Sequence, residues 1–332
     1  MKKYKKILIV TAVLAICLLG FLILQKNPST SSTIKSTVTL APVNPTSMPT
    51  SLSDSVSAYT NIPTASFPEK VPYFSVSFTR NLETETSRIA SLFNFTAPPQ
   101  IISGSRGKYS ITQDETATLT FSENPLTFTY DVASISGKPI SYDPKGLVTT
   151  SAQQLEDLSI IRSPLVVVNE TLSYFAPRGP SPNKLQSSNG ATLVQIDFDF
   201  QVGKFPLFVG DADTPGATTR FDGDKNLIQI RTYIPPNITT GTDEVNIISY
   251  KEATERLAAG SGILSSVSSA EIDNIFLTGA TPKNIEVSRV QLGYLLLSGR
   301  NDLVPVFIFS GKGRLEENNK AVNTTTIISA LP

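Results

Sequence analysis

Residues Ile7 to Leu24 read ILIVTAVLAICLLGFLIL, an uncharged run in which Thr11 and Cys17 are the most polar side chains. As a helix, this run is roughly 27 Å long, close to the roughly 30 Å hydrocarbon core of a membrane. Four lysines precede it within residues 1–6. Because lysine-rich ends stay in the cytoplasm, the sequence predicts an uncleaved transmembrane helix over residues 7–24, with residues 1–6 cytoplasmic and everything after the helix extracytoplasmic.

Three other interpretations of the apolar run fit its flanks less well. A cleaved signal peptide has a shorter apolar core, about 7–15 residues, and a small-x-small site after it, whereas QKNP follows here over residues 25–28. A lipoprotein signal places a small residue before its cysteine, and Ile16 precedes Cys17. A buried core helix seldom lies at the end of a chain with a cluster of lysines directly before it. We therefore expect a cell-membrane anchor whose partner is lipid.

A polar tract follows the apolar run and is more than half Ser, Thr and Pro between Pro28 and Pro68. It cannot bury enough apolar surface to offset the entropy of ordering, so the sequence predicts a disordered tether over residues 25–68. The simplest function of this tether is to hold the folded part of the chain away from the lipid. O-glycosylation of its hydroxyl groups is an alternative function. The N-glycosylation pattern occurs at Asn94, Asn169, Asn237 and Asn323. Because Ser and Thr are abundant in this chain, several such matches are expected by chance.

The composition excludes several kinds of chemistry. Without histidine, the chain has no Ser-His-Asp triad and no histidine-ligated zinc. Its one cysteine, Cys17, lies in the predicted anchor, so the body has neither a disulfide nor a thiol nucleophile. Six of the 28 basic residues precede Asp54, the first acidic residue, which leaves 22 against 28 acidic residues. This mildly acidic body argues against nucleic acid as a partner. Carboxylate catalysis, Ser-Lys chemistry or no chemistry remain open.

Strand and helix patterns begin directly after the tether. Val71 to Thr79 alternates and predicts a strand, and the apolar stripe of Leu82–Phe93 predicts a helix with Asn81 as its N-cap. Three strands, a helix capped by Ser151, and a short strand or buried turn complete this first set, over Gly107–Gln113, Thr116–Ser122, Leu126–Val132, Ala152–Ile161 and Leu165–Val168.

A second set follows the Pro, Gly and Asn-rich stretch over residues 177–190. Leu193 to Val202 alternates cleanly, and Ser249 opens a capping box that predicts a helix. Five more strands are predicted over Phe205–Gly210, Leu227–Pro235, Val287–Leu297, Leu303–Ser310 and Ala321–Leu331. Both sets combine helices with several strands. This repeated pattern predicts an α+β fold of two lobes, residues 69–175 and 176–332, each with an antiparallel sheet and packed helices.

Several short motifs of the second set carry a resemblance to a known family. They are the Leu193–Gly210 element with Gly203-Lys204-Phe205-Pro206, the capping-box helix, Leu292-Gly293-Tyr294 and Pro305-Val306-Phe307. With the N-terminal apolar run, they resemble the pattern of the YycH/YycI family. The resemblance implies one amino-terminal membrane helix, exported α+β lobes and modulation of a sensor histidine kinase of a two-component system. The long Ser/Thr/Pro tether departs from that pattern.

Two groups of aspartates are candidates for chemistry. Asp197 and Asp199 share one face of a strand and could form a carboxylate pair of the glycosidase kind, the alternative being the solvated side of a half-buried strand. A second group could bind calcium through oxygen ligands, namely Asp211, Asp213, Asp222 and Asp224. Its spacing does not match an EF-hand, which favours turn-forming aspartates.

Two glycine motifs lack the spacing of a phosphate-binding loop. Gly260-Ser261-Gly262 is interpreted as a helix stop and Gly311-Lys312-Gly313 as a hairpin turn. No catalytic, cofactor-binding or metal-binding residue is therefore predicted. We expect a non-enzymatic, membrane-anchored extracytoplasmic protein that binds or regulates another envelope or membrane protein. The alternatives are a carboxylate-dependent enzyme acting on cell-wall polymer or glycan, and a passive surface spacer.

Overall fold

Strands dominate the computed structural model, which describes residues 36–41, 58–104, 107–123, 125–176, 183–209, 215–268, 282–297, 299–316 and 319–332. In these residues the elements are β1 (Thr37–Val38), β2 (Tyr59–Thr60), β3 (Lys70–Ser77), α1 (Leu82–Leu92), β4 (Gln100–Gly104), β5 (Gly107–Gln113), β6 (Ala117–Ser122), β7 (Thr127–Val132), α2 (Lys145–Asp157), β8 (Leu165–Ala176), β9 (Asn183–Leu185), β10 (Leu193–Val202), β11 (Phe205–Val209), β12 (Ala217–Asp222), β13 (Leu227–Tyr233), β14 (Asn237–Asn246), α3 (Tyr250–Ala258), β15 (Ile263–Ser268), β16 (Pro282–Leu296), β17 (Val304–Leu315) and β18 (Ala321–Ser329). The predicted α+β class is confirmed as a sheet-rich fold with three helices in the described residues.

Strand β10 is the point at which the main sheet divides. One edge of β10 pairs with β8 throughout, and the other edge pairs first with β12 and then with β11. From β12 the sheet runs through β13, β7, β6 and β5 to β4; from β11 it runs through β16, β17 and β18 to β15. A separate three-stranded sheet has the order β1-β14-β3. Because β7 pairs with β13, the predicted lobe boundary near residue 175 runs through a continuous sheet.

The alternating pattern of β10 decides which of its faces is buried. The structure gives this strand the predicted bounds, and Val194, Ile196, Phe198 and Phe200 are each at most 2% exposed. A period of two places these four side chains on one face, where their burial removes them from water. The opposite face carries Gln195, Asp197 and Asp199, as the sequence predicted.

Two of the three helices begin where their caps predict. The Asn81 side chain accepts a hydrogen bond from the Thr84 N–H at the start of α1, and Ser249 accepts one from the Glu252 N–H at the start of α3. The predicted start of α2 is wrong. This helix begins at Lys145, whose N–H donates to Asp143 Oδ1, and Ser151 lies inside it, fully buried and hydrogen-bonded to Thr219.

Part of the segment predicted as a disordered tether is ordered against the sheet. Strand β2 pairs in parallel with β16, and the Tyr250 hydroxyl donates to the Pro63 carbonyl. Phe67 packs at the edge of Phe307, with ring centroids 5.3 Å apart. The apolar residues scattered through residues 58–68 therefore bury surface that the bulk composition hides, and this explains the difference from the prediction.

The part of the chain that the structure describes contains no helix long and apolar enough to cross a membrane. The predicted anchor, residues 7–24, lies outside the described residues.

Candidate functional site

The Asp197 carboxylate is held by neighbours on the polar face of the sheet. The Gln195 Nε2 donates to Oδ1 at 2.9 Å and to Oδ2 at 2.8 Å, and the Thr218 hydroxyl donates to Oδ1 at 2.7 Å. Gln195 is held in turn by Arg220, whose Nε donates to its Oε1 at 2.7 Å. Asp199 lies further along the same face and is exposed. The pair thus lies on the half-buried polar face of a strand, and structural hydrogen bonds occupy Asp197.

Asp222 organises the turn between β12 and β13. It is only 2% exposed, and its Oδ1 accepts the backbone N–H groups of Asp224 and Asn226, both at 2.9 Å. Asp224 pairs with Lys138 at 2.9 Å. These contacts are those of turn-forming aspartates. Asp211 and Asp213 lie outside the described residues, and within those residues no group of three or more Cys, Asp or Glu is arranged to hold a metal ion.

The turn after Asp222 packs closely on the preceding segment. A Cβ at Gly223 would lie 2.0 Å from the Lys138 carbonyl oxygen, so only glycine fits there. The Tyr142 hydroxyl donates to the Asp222 carbonyl at 2.7 Å, and the Lys225 ammonium lies 5.2 Å from the Tyr142 ring centroid. This contact set fixes the 133–142 segment over the end of the hairpin.

Tyr142 gives the protein a measurable response to alkaline pH. Burial, and then the charge of Asp222, raises the pKa of Tyr142 to about 12. Since the unfolded value is about 10, the neutral phenol stabilises the fold below pH 10, and this contribution is lost as pH rises towards 12. We expect an absorbance titration at tyrosinate wavelengths to include an ionisation near pH 12 that Tyr142→Phe removes. Identical titrations of the two proteins would contradict the assignment.

The two glycine motifs have different outcomes. Gly260 follows α3 and donates its N–H to Leu257, so the helix stop is confirmed. The hairpin turn predicted at residues 311–313 is wrong, because these residues lie within β17. A Cβ at Gly311 would lie 2.4 Å from the Glu286 carbonyl oxygen. The glycine there permits close approach of β16 rather than a reversal of the chain.

A buried ionic cluster lies at the start of α1. The Arg80 guanidinium makes a two-pronged contact with Glu85, Nε to Oε1 at 3.1 Å and Nη2 to Oε2 at 2.9 Å. Arg88 Nη2 reaches the same Oε2 at 2.7 Å. Arg80 also donates to the carbonyls of Ser159 and Pro235, at 2.9 and 3.2 Å. One side chain therefore joins α1, the segment after α2 and the segment after β13.

Burial and pairing act in opposite directions on the cluster. Burial raises the pKa of Glu85, but hydrogen bonds from Arg80 and Arg88 outweigh it, so the pKa of this carboxyl lies below its usual value. Burial lowers the pKa of the Arg80 guanidinium, and Glu85 opposes that shift. The cluster therefore holds one carboxylate between two guanidinium groups.

A recess of about 230 Å³ opens beside Arg80. Its lining includes Arg162, Ser163 and Asn237 together with the apolar side chains of Ile160 and Leu165. The exposed Arg162 donates from Nη1 to Asn237 Oδ1 at 3.4 Å, a long contact that leaves most of its donors to solvent. We call this surface the arginine recess. It has the size and polarity to receive a single side chain such as a carboxylate.

The arginine recess was not predicted from the sequence. Glu85 gives one local signal, because it falls on the same helical stripe as the buried Leu82 and Ile89. A carboxylate on the buried stripe of a helix requires a cationic partner. Arg80, in contrast, finds Ser159 and Pro235 across long stretches of chain, which no local pattern shows.

A second cavity, of about 200 Å³, lies between the ends of α1 and α2 and strand β13. Leu92, Phe93 and Leu158 are among its apolar lining residues, and Gln154 and Asp157 are its polar ones. It offers fewer polar groups than the arginine recess to fix the orientation of a ligand.

A scan against models of known protein families found no match for this chain, and a search of curated proteins found none either.

Proposed function

We propose that the chain is a non-enzymatic binding or regulatory module, held at the extracytoplasmic face of the cell membrane by a single helix over residues 7–24. It contacts another envelope or membrane protein, and the remainder of the predicted tether separates the α+β body from the lipid. The sensor histidine kinase of a two-component system is one version of that partner. That version rests on the resemblance to the YycH/YycI family.

The observation that carries the proposal is the charge of the arginine recess. Arg80 and Arg162 line the recess and contribute two positive charges there. Glu85 pairs with Arg80 and Arg88, and within the described residues no carboxylate pairs with Arg162, which faces the recess. An arginine fork in a partly enclosed recess favours a carboxylate supplied by a partner. An acidic side chain of the partner protein is therefore the group that this surface suits.

Reversing the charge of the recess tests the proposal. The full-length protein and its Arg162→Glu variant are crosslinked in native membranes and purified, and the proteins recovered with each are compared. We expect one specific membrane or envelope partner with the unaltered chain, and at least about tenfold less of it with Arg162→Glu, since like charges would face one another. Arg289→Glu is the matched control, because it makes the same charge change at an exposed position on β16.

Three outcomes would overturn the proposal. Recovery of no specific partner would favour a passive spacer. Equal losses of the recovered partner in Arg162→Glu and Arg289→Glu would show that the arginine recess does not contact the partner. Hydrolysis of wall polymer by the purified chain, lost when Asp197 and Asp199 are replaced by Asn, would instead indicate an enzyme.

A further inference from the structure

Among the residues that the structure describes, strand β4 forms an unpaired edge of the main sheet. It is the last strand in its branch, pairs with β5 without a register shift, and is exposed at all five positions. Ile101 is 46% exposed and Ile102 is 37% exposed. Edge strands of soluble proteins are usually protected by a charge, a proline or a bulge. The sequence of β4, QIISG, carries no charge and no proline, so no residue of β4 itself protects this edge from pairing with another strand.

The hydrogen bonding of β5 shows which backbone groups of β4 face outward. The Lys108 carbonyl accepts the Glu123 N–H, so the backbone of Lys108 points towards β6. Lys108 is paired with Ser103, and this pair is consequently a non-hydrogen-bonded one. Ser103 and, two residues earlier, Ile101 therefore direct their N–H and C=O groups to the open edge. An incoming strand must therefore present the backbone N–H and C=O groups of two residues that lie two positions apart.

A second copy of β4 matches that spacing. With a two-fold axis through Ile102, Ile101 of one copy lies opposite Ser103 of the other, and both of these residues offer outward backbone groups. Each of the two equivalent pairs exchanges two N–H···O bonds, while Ile102 faces Ile102 of the other copy across a non-hydrogen-bonded pair. Because β4 is uncharged, the pairing brings no like charges together.

We propose that two copies of this chain associate through antiparallel pairing of β4, with Ile102 on the two-fold axis. The pairing joins the two main sheets edge to edge and covers both exposed isoleucines of each copy. A short interface of this kind gives a weak association, which confinement to a surface would favour by raising the effective concentration. The proposal goes beyond partner binding and does not depend on the arginine recess.

A cysteine on the predicted axis tests the pairing directly. The sequence has one native cysteine, so Cys17→Ser gives a full-length background without thiols. In that background Ile102→Cys places two thiols on facing residues whose Cα atoms are about 4.5 Å apart, within the range of a disulfide. Under mild oxidation in membranes we expect a dimer that reduction returns to monomer.

The neighbouring positions supply matched controls. Gln100 lies on the same face as Ile102 but opposite Gly104 of the other copy, so two Gln100→Cys chains hold their thiols about 13 Å apart. We expect at least about tenfold less dimer from Gln100→Cys alone than from Ile102→Cys. Coexpression of Gln100→Cys with Gly104→Cys should restore a mixed dimer. A monomeric Ile102→Cys, equal dimer from Gln100→Cys, or crosslinking of Ile102→Cys to a different protein would each overturn the proposal.

Discussion

Replacement of Glu85 by alanine is expected to lower the free energy of unfolding by about 3–5 kcal/mol. The side chains of Arg80 and Glu85 are only 5% and 8% exposed, so the substitution leaves the Arg80 guanidinium buried without its carboxylate. The Ser159 and Pro235 carbonyls remain as acceptors, but they do not neutralise the charge. Urea unfolding of the full chain in detergent, followed by circular dichroism, measures the change.

Arg88→Ala is the matched control for this prediction. The Arg88 side chain is 30% exposed and shares Glu85 with Arg80, so its removal is expected to cost about 1 kcal/mol or less. Equal losses from Glu85→Ala and Arg88→Ala would contradict the buried cluster.

The contribution of Glu85 to stability depends on pH with a defined sign. Because folding lowers the pKa of Glu85, its stabilisation is present above the pKa of the unfolded chain and is lost as pH falls through the pKa of the folded state.

The elements that the sequence predicted best are those whose pattern is local. Strand β10 needs only a period of two over ten residues, and its bounds and buried face were both correct. The caps at Asn81 and Ser249 are likewise decided within four residues. For such elements, propensity, pattern and tertiary contacts all favour the same structure.

The strands that were missed depend on distant partners. In β12 (Ala217–Asp222), small and hydroxyl residues weaken the alternation, and the strand is buried because β10 and β13 lie on its two sides. Strand β4 is exposed throughout and owes its conformation to pairing with β5. A strand of this kind has a weak local pattern, since its neighbours supply the hydrogen bonds that hold it.

The same distinction applies to the candidate site. The polar face of β10 was predicted because alternate residues of a strand share a face. The arginine recess depends on contacts of Arg80 with Ser159 and Pro235, which the fold brings together from separate parts of the sequence. Glu85 on the buried stripe of α1 was the one local indication, and it identifies the need for a cation without identifying Arg80.

Phe307→Ala is expected to lower the free energy of unfolding by about 3–5 kcal/mol. Phe307 is fully buried in β17, between Leu292 of β16 and Ile328 of β18, and contacts the ring of Phe67 edge-on at 5.3 Å. Truncation leaves a cavity among well-packed strands that can close only in part. Urea unfolding measures this loss, and hydrogen exchange measures its local effect on residues 58–68.

The second part of this prediction separates a core effect from a local one. Because Phe67 loses an aromatic neighbour, residues 58–68 are expected to exchange their amide hydrogens faster in Phe307→Ala than the change in global stability alone would require. Phe78→Ala is the control, since Phe78 is 49% exposed and the same truncation there should change stability by about 0.5 kcal/mol or less. Unchanged stability in Phe307→Ala would contradict the core prediction. Unchanged exchange in residues 58–68 would show that this segment does not depend on the sheet beneath it.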